Sequence, residues 1–282
     1  MLMPPFNLHH PNTVEEACEL ASSFIGNEES FDWVAGGTDI LPNYKWHINV
    51  KKHVISLAKI AGLDTISMHE IGAMARLGAL TTSDSVHPLI ASAASKIASS
   101  LVRNNATVGG NICLDTRCFW INQSEDWRRS IDWCHKEDCG TGSDCRVIPN
   151  QNTLCVATYQ GDLAPSLIVL EGTIHIIGPH GPREVPAEAF FQLDGITRNI
   201  LEEGEFVLKV TFPQGVENRV GSYKKLRVRE SWDFPEAGVA SSWIRGDPSS
   251  LRIASTALES IPRSHQAEID AFDESFSSEL IN

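Results

Sequence analysis

Long apolar runs are missing from this sequence of 282 residues. No stretch approaches the roughly 20 consecutive apolar residues of a membrane-spanning helix, so no membrane span is expected. Residues 1–6 lack a basic region followed by an apolar stretch, and we therefore expect no secretory signal and a cytoplasmic location. An excess of basic residues is also missing. The formal net charge is −13, which makes nucleic acid a poor default partner.

Disulfide and zinc signatures are weak as well. The seven cysteines form an odd number in a chain without an expected export signal, which favours reduced, intracellular thiols over a disulfide framework. Cys113 and Cys118 are separated by four residues, as are Cys134 and Cys139, whereas the common zinc knuckle has two. The cysteines are nevertheless dense, because six of the seven lie between Cys113 and Cys155.

Two Gly-Gly pairs are a further feature of the sequence. Gly36 and Gly37 follow a predicted strand, and Gly109 and Gly110 follow a buried helix predicted over residues 85–101. Glycine lets a backbone approach an anion closely, and consecutive N–H groups form anion-binding nests. One such pair is typical of an ordinary turn, but two make a shared anionic ligand more plausible.

Periodicity predicts a mixture of helices and strands with a normal core, since 42% of the residues are hydrophobic. Predicted helices begin after Thr13, which caps the first, and cover residues 85–101 and 162–170. Strands are predicted over residues 53–57, 75–82, 173–177, 184–185, 205–213, 239–244 and 251–256, and residues 154–158 are expected to be extended. The hydrophobic residues in the segment 119–152 show no regular periodicity. Such a long irregular stretch inside a compact domain indicates a segment that is functional or is held in place by a bound metal.

Three interpretations of the cysteine-rich segment stay open at this point. The thiols are scattered packing residues, or they bind zinc, or four of them hold a cubane [4Fe–4S] cluster. Their density argues against the first interpretation, and their spacing permits either metal site.

Residues 35–39 and 107–111 resemble the two FAD-pyrophosphate loops of the FAD-binding subunit of the molybdenum hydroxylase (xanthine dehydrogenase) family. The resemblance covers nearly the whole chain, because other matching segments follow in the family's order at residues 11–17, 77–79, 103–104, 162–165 and 223–235. Residues 113–118, with the cysteines that follow, look like the insertion in subunit beta of 4-hydroxybenzoyl-CoA reductase, which carries a [4Fe–4S] cluster beside the FAD.

The resemblance implies an α+β fold, namely the two-subdomain FAD-binding fold of the p-cresol methylhydroxylase type followed by a small α/β C-terminal domain. The FAD-binding domain would cover residues 1–213, with the cluster-carrying insertion at about 113–155. The C-terminal domain would cover residues 218–282, which is shorter than is usual in the family.

The resemblance also implies which residues hold each cofactor. The FAD positions are Val34, Ala35, Gly36, Gly37, Thr38, Asp39, Thr107, Gly109, Gly110, Asn111, Asp115, Asp162 and Lys224. The N–H groups of both glycine turns are expected to meet the pyrophosphate. The implied cluster ligands are Cys118, Cys134, Cys145 and Cys155, with Cys139 as an alternative to Cys145, while Cys113 packs beside the flavin. Lys224 is expected to favour the reduced anionic flavin, unless it is a solvated surface lysine.

These expectations describe an electron-transfer flavoprotein subunit that carries FAD and a [4Fe–4S] cluster. Nothing in the chain resembles a molybdopterin site or a [2Fe–2S] domain. The expected partners are therefore a [2Fe–2S] subunit, a molybdopterin subunit that transforms the substrate, and an external electron carrier such as ferredoxin. Trp232, Phe234 and Pro235 are residue types that enrich interface cores, and they either face the [2Fe–2S] subunit or pack within the C-terminal unit.

The closest resemblance predicts a 4-hydroxybenzoyl-CoA reductase-like complex, which removes a phenolic hydroxyl from an aromatic acyl-CoA in aromatic degradation. One alternative is the FAD subunit of an oxidising complex that resembles xanthine, aldehyde or carbon monoxide dehydrogenase. Another is a zinc-stabilised binding protein without redox activity.

Overall fold

The computed structural model describes residues 2–136, 145–150 and 154–271. Helices and strands are mixed along this part of the chain, and the strands form three sheets, so the α+β prediction is confirmed. Across these residues, none of the helices combines the length and the apolar character needed to cross a membrane.

The N-terminal sheet is parallel, with the strand order β1-β3-β2. Its strands are β1 (Asn7–His9), β2 (Phe31–Val34) and β3 (His53–Ser56). Helix α1 (Val14–Gly26) connects β1 to β2 and begins at the predicted cap, where the Thr13 hydroxyl accepts a hydrogen bond from the Glu16 N–H at 3.1 Å. Helix α2 (Ile40–Lys45) follows the first Gly-Gly turn and leads back to β3.

The middle sheet is antiparallel, with the order β4-β7-β5-β6. Its strands are β4 (Glu70–Gly72), β5 (Thr173–Gly178), β6 (Gly181–Pro186) and β7 (Phe206–Thr211), and β5 and β6 form an antiparallel hairpin at the place of the strands predicted over residues 173–177 and 184–185. The helices that lie between β4 and β5 in the chain are α3 (Leu77–Leu80), α4 (Pro88–Ser95), α5 (Ser100–Arg103), α6 (Val108–Ile112), α7 (Glu125–Ser130) and α8 (Ala164–Val169).

Two predictions for this region are wrong. The strand predicted over residues 75–82 is replaced by the short helix α3, in which Leu77 and Leu80 are buried together at helical spacing. The helix predicted over residues 85–101 is interrupted at Ala98, whose φ of 42° lies in the left-handed region. This break turns α5 toward the second Gly-Gly turn.

The C-terminal sheet is antiparallel and is followed by helix α9 (Gln266–Asp270). Its strands are β8 (Arg219–Leu226), β9 (Ala237–Ile244), β10 (Asp247–Thr256) and β11 (Arg263–Ser264). Tyr223, Ala240 and Ala254 belong to the same buried cluster as Leu89 and Val169 of the middle unit. The core therefore continues across the boundary predicted near residue 214.

Candidate cofactor site

A cleft of about 820 Å³ is lined by residues from all three sheets and their loops. Pockets for small molecules and cofactors typically enclose roughly 300–1,000 Å³, so this cleft is large enough for an extended ligand. The residues predicted to bind FAD that line it are Ala35, Gly36, Gly37, Thr38, Asp39, Thr107, Gly109, Gly110, Asn111, Asp115 and Asp162. Val34 packs against Tyr44 and Val54 instead. Lys224 does not line the cleft either.

The first Gly-Gly turn presents free backbone donors to the cleft. Gly37 has a φ of +71°, and a side chain at Gly36 is impossible because its Cβ would lie 2.0 Å from the carbonyl oxygen of Asn105. The N–H groups of Gly36, Gly37 and Thr38 have no hydrogen-bond acceptor among the described residues. Three consecutive unpaired N–H groups in residues that line a cleft form a suitable nest for an anion.

The second Gly-Gly turn has no free donors, because all of its N–H groups bond within the protein. Val108 donates to the carbonyl of Ala75 at 3.0 Å, and Gly109 donates to the carbonyl of Ala73 at 2.8 Å. Gly110 donates to the hydroxyl of Thr107 at 3.1 Å. The predicted contact between N–H groups and a pyrophosphate therefore fits the geometry of the first turn and does not fit that of the second.

The second turn instead provides room, for close helix packing at Gly109 and for a ligand above Gly110. A Cβ built on Gly109 would lie 2.8 Å from the Cβ of Ala73, so this glycine lets α6 pack closely against the chain after β4. Gly110 is exposed, and a Cβ built there would meet only the Thr107 hydroxyl, at 3.0 Å, within 4 Å. The surface above Gly110 is therefore open cleft that a ligand can occupy.

Asp162 and Lys225 form a buried ion pair in the cleft wall. The Asp162 carboxylate accepts hydrogen bonds from the Tyr223 hydroxyl at 2.7 Å and from the Lys225 ammonium at 3.1 Å. Burial raises the pKa of Asp162 and lowers that of Lys225, and their mutual attraction opposes both shifts. Lys224 is exposed on the opposite face of β8, so the lysine that reaches the cleft is its neighbour.

A second charged cluster surrounds Asp115 and was not predicted from the sequence beyond that residue. The Lys136 ammonium lies 2.9 Å from the carboxylate, and the Arg198 guanidinium lies 3.5 Å away. Burial alone would raise the pKa of Asp115, but these two cations bring it below its usual value. Both Lys136 and Arg198 line the cleft.

Arg117 ties the start of the cysteine-rich segment to the first glycine turn. Its guanidinium pairs with Asp39 and donates to the side chain of Asn43 at 3.3 Å. Burial, with a further contribution from Arg198, lowers the pKa of Arg117 to about 10, so it remains a cation at neutral pH. The guanidinium also lies 5.1 Å from the centre of the Phe234 ring.

Phe234 and Trp232 line the cleft, and their exposed fractions are 45% and 60%. Pro235, in contrast, is buried. The side chains of Trp232 and Phe234 therefore extend the wall of the cleft toward solvent instead of packing inside the C-terminal sheet.

The charge balance of the cleft wall is acidic, because carboxylates outnumber lysines and arginines among its lining residues. The cations Lys136, Arg198 and Lys225 are each bonded to one of these carboxylates. An anionic ligand therefore depends on the backbone donors of the first turn more than on side-chain charge.

The four cysteines predicted as cluster ligands line one small cavity beside the cleft. These residues are Cys118, Cys134, Cys145 and Cys155. The predicted alternative, Cys139, lies outside the described residues. Within residues 2–136, 145–150 and 154–271, no three His, Cys, Asp or Glu side chains are grouped tightly enough to hold a single metal ion.

Cys113 is separate from this group and lines the cleft. Burial raises the pKa of its thiol to about 11, so it is a neutral thiol at physiological pH. Two residues, His135 and Lys136, line both the cleft and the cysteine cavity, so the two sites share a wall.

Comparison with known proteins gives a consistent assignment. Residues 4–215 match the model of a protein family described as the FAD binding domain in molybdopterin dehydrogenase. The aldehyde oxidoreductase FAD-binding subunit of Escherichia coli (strain K12) is 27% identical over 259 residues, which cover 85% of this chain and 77% of that protein. The xanthine dehydrogenase FAD-binding subunit of Escherichia coli O157:H7 is 27% identical over 258 residues, which cover 87% and 72%.

A solved structure shares the fold over almost the whole chain. It is a carbon monoxide dehydrogenase from Hydrogenophaga pseudoflava that lacks the Mo-pyranopterin moiety of its molybdenum cofactor. The TM-score is 0.74 at 26% sequence identity, and the match covers 99% of this chain and 84% of that chain.

Proposed function

The chain belongs to the family of FAD-binding domains of molybdopterin dehydrogenases, and from this membership we propose that it is the FAD-carrying electron-transfer subunit of a molybdenum hydroxylase-type complex. The cleft supports this proposal, because its first glycine turn offers three unpaired N–H groups for a pyrophosphate and Gly110 leaves room above the second turn. FAD bound there would supply one- and two-electron redox chemistry.

The proposal includes a [4Fe–4S] cluster held by Cys118, Cys134, Cys145 and Cys155. The observation that carries it is that these four residues, spread over nearly 40 positions of the sequence, line one cavity that shares a wall with the FAD cleft. Four cysteine thiolates are the usual donor set of such a cluster, which exchanges single electrons. This chain would thus place two redox cofactors side by side.

A zinc-stabilised protein without redox activity is the weaker candidate. Structural zinc needs four ligands at about 2.0–2.3 Å from one ion, and the described residues contain no group of three suitable side chains close enough for that. The four thiolates of a [4Fe–4S] cluster each bind a different iron and need not meet at one ion, so four cysteines that line one cavity are compatible with this donor set.

Two types of complex remain as candidates. The cysteine-lined cavity favours a 4-hydroxybenzoyl-CoA reductase-like complex, in which electrons enter and an aromatic acyl-CoA loses its hydroxyl. The aldehyde oxidoreductase and xanthine dehydrogenase relatives favour an oxidising complex, in which electrons leave. In both, we propose a [2Fe–2S] subunit and a molybdopterin subunit as partners, with an external carrier such as ferredoxin and a cytoplasmic location.

Purification from the native host under anaerobic conditions tests this proposal. We expect the chain to elute with an iron–sulfur subunit and a molybdopterin subunit, and its flavin to be reduced when the substrate or the carrier of the complex is added. A chain that runs as a lone monomer, and is reduced and reoxidised by small molecules at full rate, would instead be an independent flavoenzyme.

A further inference from the structure

Lys136 is one of the two residues that line both the FAD cleft and the cysteine cavity, the other being His135. The side chain of Lys136 is only 4% exposed. Lysines are almost never fully buried unless their ammonium group is paired and hydrogen-bonded. The contacts of this ammonium therefore indicate what the residue does.

The Lys136 ammonium uses its full donor capacity on two segments of the chain. It donates to the Asp115 carboxylate at 2.9 Å and to the carbonyl oxygen of Gly195 at 2.9 Å. It also contacts the carbonyl oxygen of Thr116 at 3.2 Å and the hydroxyl of the same residue. The Thr116 hydroxyl in turn donates to Gly195 at 2.6 Å, so the three residues form one closed network.

This network joins three of the four cysteine-bearing segments. Thr116 lies two residues before Cys118, and Lys136 lies two residues after Cys134. Gly195 packs directly on Cys155: its N–H donates to the Cys155 carbonyl at 2.8 Å, and a Cβ at Gly195 would lie 2.8 Å from the Cys155 sulfur. The three segments therefore meet at a single buried ammonium group.

We propose that Lys136 is a positioning residue that assembles the cysteine cavity and keeps a fixed positive charge in the wall between this cavity and the FAD cleft. The electrostatic part rests on the proposed function, since it requires the cluster. The potential of an iron–sulfur cluster depends on nearby charge and on hydrogen bonding around its sulfurs. A cation beside four thiolates stabilises the reduced cluster, which carries one more negative charge. Lys136 therefore raises the reduction potential of the cluster.

Three variants of the full-length chain separate these effects. Lys136→Met removes the charge and keeps much of the side-chain length, whereas Lys136→Arg keeps the charge. Lys59→Met removes a charge from an exposed lysine and serves as the matched control.

The first measurement does not need the cluster. The chains are stripped of iron with a chelator and alkylated with N-ethylmaleimide, and the modification of each cysteine is followed by mass spectrometry. We expect the buried Cys134 and Cys155 to react about tenfold faster in Lys136→Met than in wild type, which corresponds to about 1.4 kcal/mol of lost local stability. Lys59→Met should match wild type. Equal rates in Lys136→Met and Lys59→Met would overturn the positioning role, whatever iron either variant retains.

The second measurement is the midpoint potential of the cluster, followed by electron paramagnetic resonance during a redox titration. We expect a lower potential in Lys136→Met and a potential close to wild type in Lys136→Arg and Lys59→Met. A purely structural role would leave the potential unchanged, and that result would overturn the electrostatic part. A wild-type chain that binds no iron would refute the cluster proposal, and the alkylation rates alone would then decide the role of Lys136.

Discussion

Replacement of Gly110 by valine is the sharpest test of how the cleft is used. The fold should accept the change, because the backbone of Gly110 does not require a positive φ and its new Cβ has one neighbour within 4 Å, the Thr107 hydroxyl at 3.0 Å. Valine is a slightly better helix former than glycine, and disturbance of the Thr107 cap costs about 1 kcal/mol. We therefore expect the free energy of unfolding to change by less than about 1 kcal/mol.

The effect on FAD should be much larger. The valine side chain would point into the open cleft. A ligand bound over α6 would have to move away from the helix by about one contact distance between carbon atoms, roughly 4 Å, to avoid the valine methyl groups. That displacement breaks hydrogen bonds between the ligand and the first turn, and each bond to a charged group is worth about 1.5–3 kcal/mol. The loss of two such bonds weakens binding by about two to four orders of magnitude.

The Kd for FAD is measured by calorimetry or by quenching of flavin fluorescence in the Gly110→Val chain, with folding checked by circular dichroism. Gly26→Val is the matched control, because Gly26 ends α1, does not line the cleft, and would have no atom within 4 Å of an added Cβ. A folded Gly110→Val chain that binds FAD within about threefold of wild type would refute the placement of the ligand over α6.

The remaining predictions concern the buried pair, the cysteines and pH. Lys225→Met should lower the free energy of unfolding in urea by about 3–5 kcal/mol, because it leaves a buried carboxylate unpaired, while the exposed Lys224→Met should change it by less than about 0.5 kcal/mol; equal effects would contradict the assignment. Chemical analysis should show that the Cys155→Ser chain loses iron and keeps FAD, whereas the Cys139→Ser chain keeps both. A Cys155→Ser chain that keeps its iron, or a Cys139→Ser chain that loses it, would contradict the proposed ligand set. The pKa of Asp115 is lowered in the folded chain, so its contribution to stability is present at neutral pH and is lost as pH falls below about 4. The stability difference between wild type and Asp115→Asn should therefore shrink in acid, and a difference that grows there would contradict the ion pairs.

The sequence predicted the two glycine turns that line the cleft because they depend on local chemistry. A Gly-Gly pair after a strand is visible in the sequence, and both turns line the cleft. The close approach of Gly36 to Asn105 brings the two turns together, which explains why a glycine is needed at this position. The sequence did not reveal that the N–H groups of the second turn are all used internally, because the acceptors on Ala73 and Ala75 come from a distant strand end.

The lysine in the cleft wall, Lys225, could not be identified from the sequence, for a different reason. Successive side chains on a strand point to opposite faces, so a shift of one residue exchanges the buried and the exposed lysine. Lys224 and Lys225 are indistinguishable by residue type, and only the pairing of β8 with β9 places Lys225 beside Asp162. Lys136 and Arg198 could not be predicted for a related reason. Their role depends on contacts with Asp115 across 21 and 83 positions of the sequence (136 − 115 and 198 − 115).

The most direct test of the central claim is the cofactor content of the purified, folded chain. The absorption spectrum, combined with chemical analysis of flavin, iron, sulfide and zinc, decides between the candidate functions. We expect a yellow-brown protein with one FAD per chain and iron and sulfide in equal amounts, as one [4Fe–4S] cluster requires. A colourless chain that contains zinc and neither flavin nor iron would contradict it.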